Sequence, residues 1–142
     1  MKIGFTGTQN GMSGLQYEAV RKLLESLEWN AERRRSTEFH HGDCIGADVE
    51  AARVSAVLGM RLIVHPPLNE AKRAFHRSDN CEVRKPKPYL DRNRDIVNEC
   101  ELLIAAPSSV DEQLRSGTWS TVRYARKCEK PTIIIDPYGV KH

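Results

Sequence analysis

A chain of 142 residues holds one ordinary hydrophobic core, so any site must be built on a single fold or between copies, with no room for a two-domain enzyme. Lys and Arg number 22 against 19 Asp and Glu, a net charge of +3, and 39% hydrophobic with 29% charged residues is the balance of a folded globular protein rather than a disordered tail or membrane span. No apolar run approaches the roughly 18 residues of a transmembrane helix, and Met1 leads directly into a short apolar pattern, so neither a membrane partner nor a signal peptide is expected and the expected compartment is the cytoplasm.

The predicted elements alternate. Lys2–Thr6 reads as a strand ending at Gly7, and Ser13 is placed to cap a helix running to about Trp29, with Val20, Leu23, Leu24 and Leu27 on one face. A polar stretch with Arg33, Arg34 and Arg35 follows, then a strand at Glu38–His41 and an Ala-rich helix from the Gly42–Gly46 turn to near Gly59. Arg61–His65 is a third strand, Asp91–Cys100 a helix, Glu101–Ala106 a fourth strand, Thr118–Cys128 a helix and Thr132–Asp136 a fifth strand. This rhythm predicts an α/β fold: a single Rossmann-like, doubly wound, mainly parallel five-stranded sheet with helices on both faces, spanning residues 1–142 as one domain. Residues 66–90 break the rhythm. Pro66, Pro67, Pro86 and Pro88 interrupt them, and roughly 25 irregular residues in a compact domain read as a lid or insertion.

In such a sheet ligands bind beyond the carboxyl ends of the strands, and the unusual residues cluster there. After the first strand come Gly7, Thr8 and Gln9, where the backbone can curl around a ligand ahead of a helix N-terminus suited to an anion. The loop is neither a dinucleotide fingerprint nor a Walker-type phosphate loop. The second strand ends in Gly42, Asp43, Cys44, Gly46 and Asp48. Asp43 is a candidate general base or ribose ligand, and Asp48 either a catalytic carboxylate or a helix-terminal charge favoured by the dipole. His40 and His41 alternate across their strand, so at most one faces this site, and no metal is assigned to either. The fourth strand ends at Pro107 and Ser108, and Gly117, Thr118 and Trp119 open the last helix, the first two as a phosphate seat and Trp119 as a stacking or packing residue. Arg92 and Asn93 add a cation and an amide near the same edge. The four cysteines, Cys44, Cys81, Cys100 and Cys128, lack zinc-finger spacing; no metal and no cofactor are assigned.

Taken together, the glycine turn ending in Gly46-Ala47-Asp48, the Arg92-Asn93 pair and the Gly117-Thr118 helix start resemble the SMF/DprA–Lonely Guy (SLOG) superfamily, in particular its small stand-alone members of bacterial or phage type. The resemblance spans nearly the whole chain. It implies a Rossmann-like fold and a nucleotide-derived small-molecule ligand. Lonely Guy members are phosphoribohydrolases that use an Arg, matched by Arg92, and a Glu, at whose position this chain has Thr121; nine residues also separate Pro107 from Gly117 where those enzymes have a tight Gly-Gly turn. The resemblance therefore implies binding, and N-glycosidic bond hydrolysis as the reaction if the chain is an enzyme, with Asp43, Asp48 and Arg92 as its catalytic candidates. It also implies a homo-oligomer, with Arg123, Arg126 and Lys127 on the last helix placed to reach a neighbouring copy. The alternative is single-stranded DNA binding of DprA type. Between Pro66 and Arg94 eight Lys and Arg face four acidic residues, with Phe75 and Tyr89 interleaved.

Overall fold

The computed structural model describes residues 1–27 and 30–142. Six strands form one parallel sheet: β1 (Lys2–Gly7), β2 (Glu38–His41), β3 (Arg61–Val64), β4 (Cys81–Val83), β5 (Leu102–Ala106) and β6 (Thr132–Ile134), in the order β4-β3-β2-β1-β5-β6. The five-stranded sheet predicted from sequence is corrected by β4. Three residues are too few to show an alternating pattern, and the flanking prolines mask them, yet Arg84 N–H reaches Val64 O at 2.8 Å and Leu62 N–H reaches Asn80 O at 3.0 Å, which fixes them as an edge strand.

Helices α1 (Gly14–Leu27) and α3 (Ala47–Val57) pack on one face of the sheet, and α4 (Tyr89–Glu99) and α5 (Gly117–Lys127) on the other. A short helix α2 (Ala31–Ser36), which the hydrophobic period does not announce, is capped by the Asn30 side chain on Arg33 N–H at 2.8 Å. Ser13 accepts from Gln16 N–H at 3.1 Å, as its placement before α1 suggests, while the predicted continuation of this helix over residues 28–29 lies outside the described residues. The α1/α3 face buries Ile3, Phe5, Phe39, Leu62 and Ile104 with Val20, Leu23 and Leu24. The other face buries Ile96, Val97, Leu103 and Ala125, with a smaller cluster around Trp119. Burial of this many aliphatic and aromatic side chains, each contributing about 1.5–3 kcal/mol, holds the sheet between its helices. No helix among the described residues is long and apolar enough to cross a membrane.

The chain steps outward from β1 through β2, β3 and β4, then returns to the other side of β1 for β5 and β6. Strand order reverses between β1 and β5, and the loops that leave these two carboxyl ends diverge there, opening a crevice.

Candidate functional site

That crevice is a cleft of about 370 Å³, lined by Thr6–Asn10 at the end of β1 and just beyond it, Gly42, Cys44 and Asp48 around the β2–α3 turn, Tyr89, Arg92 and Asn93 on α4, and Ser108 with Arg115–Thr118 before and within α5. Its size suits a small molecule.

One wall is built of buried charge. Asp48, in the first turn of α3 and 5% exposed, accepts from Gly42 N–H at 3.1 Å and Cys44 N–H at 3.3 Å, both through Oδ2. Burial pushes its carboxyl up to about 6, against the pull of the Arg92 guanidinium and the two N–H groups. Arg92 is equally buried. Its Nη1 donates to Gly42 O and to His65 O at 3.2 Å, Nε donates to Asn93 Oδ1 at 2.7 Å, and Nη2 lies 3.8 Å from Cys44 Sγ. The Tyr89 ring stacks 5.1 Å from the guanidinium. A Cβ at Gly42 would fall 2.4 Å from Arg92 Nη1, so glycine is required there for the guanidinium to reach the strand end. Arg92 thus joins the ends of β2 and β3 to α4, and much of its donor capacity is committed to the protein. The Cys44 thiol is raised to about 11 by burial and stays protonated at neutral pH.

The opposite wall is open. The Ser116 hydroxyl accepts from Trp119 N–H at 3.2 Å and caps α5, while the N–H groups of Gly117 and Thr118 have no partner among the described residues. A Cβ on Gly117 would meet nothing within 4 Å. Arg115 is exposed beside them. This is the arrangement in which a helix N-terminus receives an anion, with a cation alongside.

Several residues singled out from the sequence stand elsewhere. Asp43 does not line the cleft: with φ +56° its side chain turns behind the turn, where the carboxylate accepts from Arg73 Nε at 2.9 Å, His76 N–H at 3.1 Å and Arg77 Nη1 at 3.3 Å. It anchors residues 73–77 to the β2–α3 turn, reinforced by Ala74 N–H on Asp43 O at 2.7 Å and Ile45 N–H on Lys72 O at 2.9 Å. Residues 66–90 are accordingly stitched to the domain by this turn and by β4. Gly46, at φ +88°, packs on loop backbone: a Cβ there would lie 2.4 Å from Gln9 O. Gly7 lines the cleft, but its missing Cβ is demanded by Ala47, 2.5 Å away. Trp119 is buried among Ala105, Val122 and Ile134, its Nε1 donating to Ser109 Oγ at 3.2 Å, so it packs beneath the α5 wall and does not line the cleft. Pro107 sits behind the wall, its carbonyl held by Gln16 Nε2 at 2.9 Å. Gly42, Thr8, Gln9, Cys44, Asp48, Arg92, Asn93, Ser108, Gly117 and Thr118 do line the cleft.

Asn10, Tyr89 and Arg115 also line it, unassigned by sequence reading. Arg115 lies two residues before Gly117 and adjacency to that motif is its signal, while Tyr89, three residues before Arg92, was marked only as an aromatic of the basic stretch. Buried Gln16, which ties Pro107 O and Ile135 O (2.7 Å) together, gives none, because a lone Gln on an amphipathic helix reads as surface.

No protein-family model matches the chain, and no curated protein is similar to it in sequence. Its structure is similar to solved ones. TM1055, a structural-genomics target, superposes with a TM-score of 0.64 at 14% identity over 92% of this chain and 71% of that one. DNA processing protein A from Helicobacter pylori gives 0.62 at 18% identity over 94% and 64%, and the molybdenum cofactor carrier protein from Chlamydomonas reinhardtii 0.65 at 18% over 94% and 74%. The chain shares the Rossmann-like α/β fold of these three structures. It spans about two thirds of the length of these neighbours, and likeness at this level of identity concerns the fold alone.

Proposed function

We propose that the cleft binds a phosphorylated, nucleotide-derived small molecule, its phosphate on the free N–H groups of Gly117 and Thr118 beside Arg115 and its sugar toward Asp48. The observation that carries this reading is the pairing, across one cleft, of a buried carboxylate with an open helix N-terminus. In this reading Arg92 positions: it holds Gly42 and Asn93 and sets the charge around Asp48, rather than supplying a free cation to the ligand. If the ligand is turned over, N-glycosidic hydrolysis is the reaction best suited to the site. Above about pH 6 the ionised Asp48 would stabilise the developing sugar cation and take a proton from the attacking water, while the base departs with the bond pair. The test is mass spectrometry of small molecules that co-purify with the protein, followed by incubation with nucleoside mono-, di- and cyclic phosphates. Released base that disappears in Asp48→Asn supports hydrolysis. A nucleotide returned intact supports a sensor or sponge, and no binding by any of the panel overturns the reading.

A second reading is single-stranded DNA binding, favoured by the likeness to DNA processing protein A, for which a single-stranded DNA binding mode is described. Against it, the basic stretch is largely paired. Arg73 and Arg77 bind Asp43, Arg84 binds Glu99, Lys87 binds Asp95 at 2.6 Å, and Arg92 is buried. Oligonucleotide affinity falling steeply with salt would support this second reading, and no binding at low salt would remove it. Arg123 and Arg126, expected to reach a neighbouring copy, hold the protein's own loop through Glu112 at 3.2 and 2.8 Å. Homo-oligomerisation is retained as a proposal that light scattering on the purified protein decides.

A further inference from the structure

On the other side of Arg92, His40, His65 and Glu99 converge, and we propose that they form a binding site for a divalent transition-metal cation of the zinc class. One ligand atom from each lies within 4.8 Å of the other two. His40 Nδ1 and His65 Nε2 are 2.9 Å apart, and Glu99 Oε2 is 3.7 Å from His65 Nε2. The three residues are far apart in sequence. His40 is on β2, His65 directly follows β3 and is fixed by its N–H on His41 O at 2.9 Å, and Glu99 closes α4.

The surroundings are those of a metal site. The outer nitrogen of His40, Nε2, meets Glu38 Oε1 at 2.9 Å; a proton held there leaves the Nδ1 lone pair facing His65 and Glu99, as an outer carboxylate does for a metal-bound imidazole. Arg84 binds Glu99 Oε1 at 2.9 Å and so leaves Oε2 to the cluster. Both imidazoles are buried, which disfavours their protonated forms and keeps them competent as ligands. Beyond the cluster a cavity of about 360 Å³, lined by His65, Asp95, Asn98 and Glu99 and by the cations Arg84, Lys85, Lys87 and Arg92, of which Arg84 is paired with Glu99 and Lys87 with Asp95, provides a path from solvent and room for a fourth, exchangeable ligand. Two imidazoles, one carboxylate and an open position suit zinc and its neighbours rather than calcium or magnesium. At metal–nitrogen distances of about 2.0–2.1 Å, the present nitrogen separation subtends close to a right angle, and an opening of about 0.4 Å gives tetrahedral spacing. The two histidines hydrogen-bonded to each other, with no metal, is the competing state, and the measurement distinguishes the two.

Full-length protein stripped with chelator is dialysed against zinc chloride, and bound metal is counted per chain; the experiment is repeated with cobalt(II), followed by visible absorption. One equivalent is expected, with visible cobalt bands and no thiolate charge-transfer band. Glu99→Gln and Glu38→Gln are each expected to weaken zinc at least tenfold, and His65→Gln to abolish it. Glu99 and Glu38 are partly exposed, so their variants keep the test decisive should His65→Gln not fold. Less than stoichiometric binding at micromolar zinc overturns the proposal. So does unchanged affinity in Glu99→Gln, or a thiolate band that assigns the metal to the four free cysteines. Zinc binding is read independently of nucleotide binding, so either proposal fails without the other.

Discussion

The β2–α3 wall of the cleft and the α5 wall use the same vocabulary, glycine followed by a helix start, for different ends. In the first, Gly42 and Gly46 exist because Arg92 and the Gln9 carbonyl occupy the space a side chain would need, and the charges of Asp48 and Arg92 are held by backbone groups. In the second, Gly117 faces empty space, its N–H and that of Thr118 are free, and Arg115 is exposed. A rigid wall that fixes one carboxylate stands opposite a wall whose donors remain available. On the proposed reading, the first wall chiefly carries stability and orients Asp48, and the second carries most of the affinity for a phosphate.

The largest effect that would break this division is at Arg92. Replacing it by Ala leaves Gly42 O and His65 O without their donor and Asp48 buried without its counter-charge, an expected loss of about 3–5 kcal/mol in urea unfolding; a loss under about 1 kcal/mol would show that the wall does not depend on it. Gly46→Ala should lose about 2–4 kcal/mol, from a backbone conformation L residues avoid and from overlap with Gln9 O, read as a lower unfolding midpoint.

Asp48 gives the pH signature. Its native pKa of about 6 exceeds the ordinary value of 3.8, so the native chain binds its proton more tightly than the unfolded chain does. Its contribution is therefore fully present below about pH 4 and is lost as pH rises through 6. Measured against Asp48→Asn, which cancels the other titrating groups, wild-type stability should fall by roughly 2–3 kcal/mol between pH 4 and pH 7. A flat difference would place the carboxylate in a wetter setting than the structure gives.

The α5 wall responds in binding rather than folding. Arg115→Ala is expected to weaken a phosphorylated nucleotide by about 1.5–3 kcal/mol in calorimetry while leaving the unfolding midpoint nearly unmoved. Gly117→Ala is the smallest in stability, under about 1 kcal/mol, and its affinity loss sharpens the comparison: with no neighbour in the protein, only a ligand close to that backbone can object to the methyl group.

Much of the scaffold was legible in the sequence. The four longest helices and five of the six strands follow from apolar spacing and glycine or serine punctuation, because burying one face against a sheet requires that spacing locally. β4 and α2 were not legible: one has three residues between prolines, and the other is a six-residue polar turn with no buried face. Within the site, Gly42, Asp48 and Gly117 were found by their position in the turns from strand to helix, and Arg92 by its place at the start of a predicted helix and by the resemblance of the Arg92-Asn93 pair. Asp43 was placed among them by the same logic, and its three partners, 30 to 34 residues onward, lie beyond the reach of any local pattern.

The sequence by itself determined a parallel α/β domain whose loops with chemistry gather at one edge, since strand-to-helix turns in such a sheet all emerge on the same side. Only the tertiary structure decided which way each loop side chain faces. It sent Asp43 back to fasten residues 73–77, buried Asp48 beside Arg92 and brought His40, His65 and Glu99 together from separate elements. The reason is physical: a buried charge or imidazole goes where partners satisfy it, and those partners are supplied by strands and helices distant in the chain.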